Sequence, residues 1–279
     1  MKYAKPTEAT ILAALDTYRK RVGQLNHRNM SILIPQIESV KADDPDLFES
    51  PEEEEEARLE YLLRILDTSQ EDTQPPISRP SDLLKNWDVL APQLSLDGVC
   101  ITLDPEQRGA KREAYKSGIL RGLAQFECPT GTWTFPPDFE ILMQHVDSLE
   151  GHGWPQRREW DGYYIFWEGW GPRSHHGDFK NIGEKCMSEE AIHKLGFDEY
   201  DVAAGFECGI GLAKFTVVMY SRLKGDTRED GWMWRYGAWM GQFGFEVYDD
   251  IVSFLEWYQR YNEREGEGLT LTAQDVFEF

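Results

Sequence analysis

The chain has no paired cysteines. Its four, Cys100, Cys128, Cys186 and Cys208, stand far apart and form no CxxC motif. That spacing offers neither a disulfide framework nor a zinc site, and points to reduced, mostly buried thiols of a cytoplasmic or nuclear protein. No apolar run approaches the roughly 18 residues of a membrane span, so no membrane partner is expected. The opening MKYAKPTEATILAALD carries acids and lacks a small-residue cleavage site, unlike a secretory signal. Basic residues are outnumbered, 29 Lys and Arg against 50 Asp and Glu, for a net charge of −21. Such a balance argues against nucleic acid and against anionic membranes as partners.

Catalytic signatures are missing too. There is no GxSxG elbow, P-loop or HExxH. The glycine-rich stretch 205–211 precedes a strand pattern rather than a helix, so it reads as a turn and not a dinucleotide loop. No cofactor is expected. His175 and His176, with Asp178 and His152 nearby, form the one histidine cluster, but adjacent residues in an extended segment face opposite ways and rarely chelate one ion. Cys186 and His193 have no second Cys–His pair close by, so no metal site is expected either. His145 lies on an apolar stripe and reads as a hydrogen-bonded histidine at the core or its edge.

Glycine and tryptophan are nearly absent from the first 80 residues. All ten tryptophans lie at or beyond Trp87, and Gly23 alone among the 24 glycines precedes Gly98. This leaves a helical, charge-split region over 1–80. Ile11, Leu15, Tyr18, Val22 and Leu25 recur at helical spacing behind a capping Thr7. A short helix around Ile32–Ile37 is expected to break at Pro35. Leu59, Leu62, Leu63 and Leu66 make a second stripe. Residues 1–40 carry a net +3 and residues 41–80 a net −9, so the acidic stretch could fold back on the basic helix. The plainer reading of Asp43–Glu56 is a solvated linker, with a second linker at Thr68–Pro80 marking the domain boundary.

Residues 81–279 read as an α+β domain. Helices are expected over Lys111–Phe126, where Gly118 and Gly122 would let another element approach closely, and from Pro137 to Leu149 with Gly151 as the stop. Tyr163–Trp167, Lys214–Tyr220 and Trp232–Trp239 read as strands, the last two as an antiparallel hairpin. Asp249 and Asp250 then offer an N-cap, and Ile251, Phe254, Leu255 and Tyr258 form the stripe of a closing helix. Helices flanking an antiparallel sheet is the architecture implied.

The phrase FPPDFEILMQHVDSLEG (Phe135–Gly151) resembles the opening of the SUKH fold: proline, an acid, an aromatic, then a helix ending in a glycine turn. Asp249–Tyr261 resembles the closing helix of that superfamily, and the preceding hairpin its central strands, over roughly Asp104–Arg264. The resemblance implies a non-enzymatic interaction module, as in the fungal cell-wall-synthesis regulator and bacterial immunity proteins.

The expected function is therefore an intracellular binding or regulatory module for a protein partner. Its contact surface is expected to include Trp154, Trp160, Trp167, Glu168 and Trp170, together with Trp234 and Arg235, because Trp, Tyr and Arg dominate interface hot spots. Arg235 between Trp234 and Tyr236 could stack on a ring or pair with a neighbouring acid. The alternative is carbohydrate recognition or hydrolysis, with the rings of 154–170 stacking on sugar beside Glu159, Asp161 and Glu168. A core role for those rings competes with both readings.

Overall fold

A computed structural model of the chain describes residues 5–44, 46–150, 165–167, 169–170, 182–211, 214–239, 245–260 and 270–277. Its longest element is helix α1 (Glu8–Ser39). Thr7 caps it: the Thr7 hydroxyl accepts from the Thr10 amide at 3.3 Å, and the Thr10 hydroxyl accepts from the Thr7 amide at 2.9 Å. Ile11, Leu15, Tyr18, Val22 and Leu25 are all buried, as their spacing predicts. The expected break at Pro35 does not occur. Pro35 stands on the exposed face, while Leu33, Ile34 and Ile37 hold the turn from the buried side.

This one helix serves two cores. Its first half, Ile11 to Val22, packs into the sheet domain, where Tyr18 stacks on Tyr258 at 5.7 Å. Its second half, Met30 to Ile37, lies in a helical unit with α2 (Pro51–Ile65), α3 (Ser81–Lys85), α4 (Trp87–Gln93) and α9 (Ala273–Phe277). The helical core therefore draws on residues before and after position 80, including Val276. The glutamate run is not a linker: Glu52, Glu53 and Glu54 form the first turn of α2 behind the Ser50 cap, where negative charge complements the helix dipole. Nor is 68–80 a free connection, since Thr73 and Ile77 are fully buried. The fold-back of 41–80 onto α1 runs through apolar contacts and through Arg58, which donates to the Val40 carbonyl and pairs with Glu54 of its own helix.

The sheet is a five-stranded antiparallel meander, β4 (Cys186–Ser188), β5 (Tyr200–Gly211), β6 (Lys214–Leu223), β7 (Met233–Trp239) and β8 (Phe245–Tyr248). The predicted hairpin is β6–β7. One face presents Ala204, Phe206, Val218, Trp234, Tyr236 and Ala238 to α1, α5 (Pro105–Leu123), α6 (Pro137–His145) and α8 (Ile251–Tyr258). The other presents Val217 and Met219 to Ile192 of α7 (Glu189–His193) and to Phe197. Covering both faces explains why β7 is buried at nearly every position. A smaller sheet, β1 (Val99–Cys100), β2 (Ser148–Glu150) and β3 (Ile165–Trp167), completes the domain.

Gly118 and Gly122 of α5 act as anticipated. A Cβ at Gly118 would sit 2.0 Å from Ile182, and one at Gly122 2.5 Å from the Gly183 carbonyl, so the turn Ile182–Lys185 packs directly on the helix backbone. Two expectations fail. The stretch 205–211 is the second half of strand β5 rather than a turn, and Gly205 is needed because a Cβ there would meet the Val218 carbonyl at 2.6 Å and Ile192 at 2.9 Å. Helix α6 stops at His145, not near Gly151, because Val146 turns extended and Ser148–Glu150 pairs with β1 and β3.

Candidate functional site

The polar groups inside the sheet domain converge on two aspartates and one arginine. Asp138, at the start of α6 in the Pro-Pro-Asp phrase, accepts from the Tyr236 hydroxyl at 2.7 Å and from the Ile251 amide at 2.9 Å. A single carboxylate thus joins α6, strand β7 and the first turn of α8. Burial raises its pKa, with those donors opposing, and burial together with the adjacent Asp138 pushes the Tyr236 hydroxyl far above its ordinary value.

Asp147 is the second node. It is fully buried and accepts from the amides of Thr102 (2.5 Å) and Leu103 (2.7 Å), from Arg108 Nε (2.6 Å) and from Trp170 Nε1 (2.9 Å). Its own amide donates to the Cys100 carbonyl, and its carbonyl accepts from the Trp170 amide. Burial would raise its pKa, but the Arg108 guanidinium and the remaining donors outweigh this and hold it below the usual carboxylate range. These bonds are what end α6: a residue so placed cannot continue the helix.

Arg235 is the third. Only 5% exposed, it donates from Nε to Asp249 at 2.7 Å and from Nη1 to the Ser221 carbonyl, and its guanidinium lies 5.3 Å from the centre of the Tyr200 ring. Asp249 precedes Asp250, whose carboxylate caps α8 through the Ser253 amide at 2.8 Å. Both alternatives weighed for Arg235, stacking and pairing, are realised at once, and in the interior.

The burial of several expected contact residues is a correction. Trp167 is 1% exposed and packs on Phe139 and edge-on to Trp170; Trp170 is spent on Asp147. Trp234 lies among Phe206, Tyr220 and Trp133. With Arg235, these four are core residues: Trp167 and Trp170 pack on Tyr115 of α5, while Trp234 and Arg235 lie on a strand covered on both faces. Trp154, Trp160 and Glu168 lie outside the described residues, as do Glu159, Asp161 and the His152, His175, His176, Asp178 cluster. His145 is an edge histidine, 2.9 Å from Glu8.

Sequence reasoning does not distinguish Asp138 and Asp147 as anchors of the fold. The one local signal was the proline pair ahead of Asp138, while the partners of Asp147 are spread from Thr102 to Trp170. Burial pushes the Cys186 thiol up to about 12, which favours its protonated form at neutral pH. All four cysteines are free thiols. Among the described residues, no group of three His, Cys, Asp or Glu side chains is placed to hold a metal ion, and no helix is long and apolar enough to cross a membrane. Comparison with known proteins returns no matching family model, no matching curated protein and no matching solved structure.

Proposed function

We propose that the chain is a non-catalytic, SUKH-like binding or regulatory module of the cytoplasm or nucleus that engages a protein partner. One observation carries this reading: the buried Asp147 and the half-buried Asp138 carboxylates of the described core are committed to the fold. Asp147 receives four strong donors, and Asp138 joins three elements. A catalytic acid or base needs a lone pair or proton turned toward substrate, and these are turned toward the chain itself. The phrase around Asp138, which carries the resemblance, is also where the sheet, α6 and α8 meet, so the resemblance falls on a structural junction. With Trp167 and Trp170 in the core, the proposed contact surface narrows to Trp154, Trp160 and Glu168. The carbohydrate reading loses the same two rings, and no observation favours it.

Affinity purification from the native cell with two baits tests the proposal: the wild-type chain and a Trp154→Ala/Trp160→Ala double variant. A protein enriched by the first and lost with the second is the expected result. Enrichment of no protein above background by the folded wild-type chain overturns it.

A further inference from the structure

Between its two cores α1 passes through a waist. Val22 still belongs to the sheet core and Met30 already to the helical one. The buried positions between them are Gly23, Leu25, Asn26 and Asn29, with a single apolar side chain among them. Glycine and asparagine are weak helix formers, so α1 propagates least well here. Among the described residues the chain crosses the waist once more, at Ser95–Gly98, from Leu96 in the helical core to Val99 in the sheet core. The Leu96 amide donates to the Ala91 carbonyl of α4 at 2.8 Å. Ser95 is buried at a φ of 55°, a backbone that only surrounding contacts hold for a residue other than glycine.

The two crossings are fastened to each other. Asn26 Nδ2 donates to the Leu96 carbonyl at 2.8 Å, with both residues buried. Arg19 donates from Nε and Nη2 to one oxygen of Asp97, at 2.8 and 2.5 Å, and the other oxygen accepts from the Val99 amide at 3.3 Å. One carboxylate thus joins α1 to the first residue of β1. We propose that this clasp is a conformational coupler: the contacts of Arg19 and Asn26 with residues 96 and 97, and not the continuity of α1 alone, make the two cores open as one. A helix with a weak middle carries stability from end to end only where tertiary contacts hold it. The helical core rests partly on the short helices α3, α4 and α9, so it is the one released when the clasp is cut. This inference goes beyond the binding reading and needs no partner, so the two can fail separately.

The test is native-state hydrogen exchange along α1 in the full chain, as wild type and as an Arg19→Met/Asp97→Asn double variant. Removing both charges leaves neither buried alone. In the wild type, Ile11–Val22 and Met30–Ile37 are expected to share one opening. In the double variant, Met30–Ile37 should exchange about tenfold or more faster than Ile11–Val22. Asn26→Ala, which removes only the bond to Leu96, should open a gap in the same direction. Adding Gly23→Ala to the double variant should narrow the gap, because it strengthens the weak middle of α1 and its Cβ would lie an ordinary 3.6 Å from that of Asp97. Lys20→Met, which breaks the exposed pair with Asp16 on the same helix, should open no gap. The inference is overturned if both stretches still open together in the folded double variant, or if Lys20→Met separates them equally. It is also overturned if the double variant and Asn26→Ala both fail to fold, since the clasp would then not be separable from the cores.

Discussion

The two cores of this protein treat charge differently. The sheet domain buries Arg108 against Asp147 and Arg235 against Asp249, and sets Asp138 between Tyr236 and the start of α8. The helical unit pairs charges within single helices, Arg58 with Glu54 of α2 at 12% and 24% exposed and Lys85 with Asp82 of α3 at 60% and 21%. Its interior, Met30 to Ile37 with Leu62, Leu66, Ile77 and Val276, is mostly apolar and holds Thr73 as a buried hydroxyl that accepts from the Ile77 amide. The first core depends on specific donors meeting specific acceptors, the second on area removed from water. Among the described elements, only α1 contributes to both.

The difference can be broken most forcefully at Asp147. Asp147→Ala leaves the Arg108 guanidinium buried without its carboxylate, an arrangement that costs about 3–5 kcal/mol, and urea denaturation should read that loss directly. A loss under about 1 kcal/mol would mean that the node is ornamental. Next comes the close approach at Gly118. Gly118→Ala forces a Cβ into Ile182 and should cost about 1–3 kcal/mol, whereas Gly109→Ala on the same helix, with open space around it, should stabilise or leave the fold unchanged.

The two aspartates sharpen the comparison through pH, because they act with opposite sign. Asp147 has a lowered folded pKa, so its contribution is present above the unfolded carboxyl value of about 3.9 and is lost as pH falls through the folded value. Asp138 has a raised one, so its contribution is full below about pH 3.9 and is lost as pH rises through the folded value. Unfolding free energy measured from pH 4 to 7 should therefore decline less with rising pH in Asp138→Asn than in the wild type. The smallest effect belongs to the helical unit: Lys85→Ala removes an exposed pair and should stay within about 0.5 kcal/mol in the same denaturation assay.

What the sequence made legible follows the same division. Patterns governed by neighbours three or four residues away were readable: the α1 stripe, the Thr7 and Asp250 caps, the Gly118 and Gly122 approach and the α8 stripe. Features decided by distant partners were not. Helix α6 ends where it does because Asp147 gathers donors from Thr102 to Trp170, and nothing local to Val146 announces that. Pro35 stays inside α1 because Ile34 and Ile37 find a core supplied by α2 and its neighbours. Trp234 and Arg235 alternate as a half-exposed strand would, and the sequence does not reveal that α7 and Phe197 cover the second face. Nothing in the sequence marks the two aspartates as anchors, for the same reason.

Native-state hydrogen exchange along α1 tests the shared-helix account most directly. If one helix serves both cores, the amides around Val22 and those around Ile34 open with the same free energy, equal to that of global unfolding. Exchange of the Met30–Ile37 half through a separate, lower-energy opening, with Ile11–Val22 still protected, would contradict it.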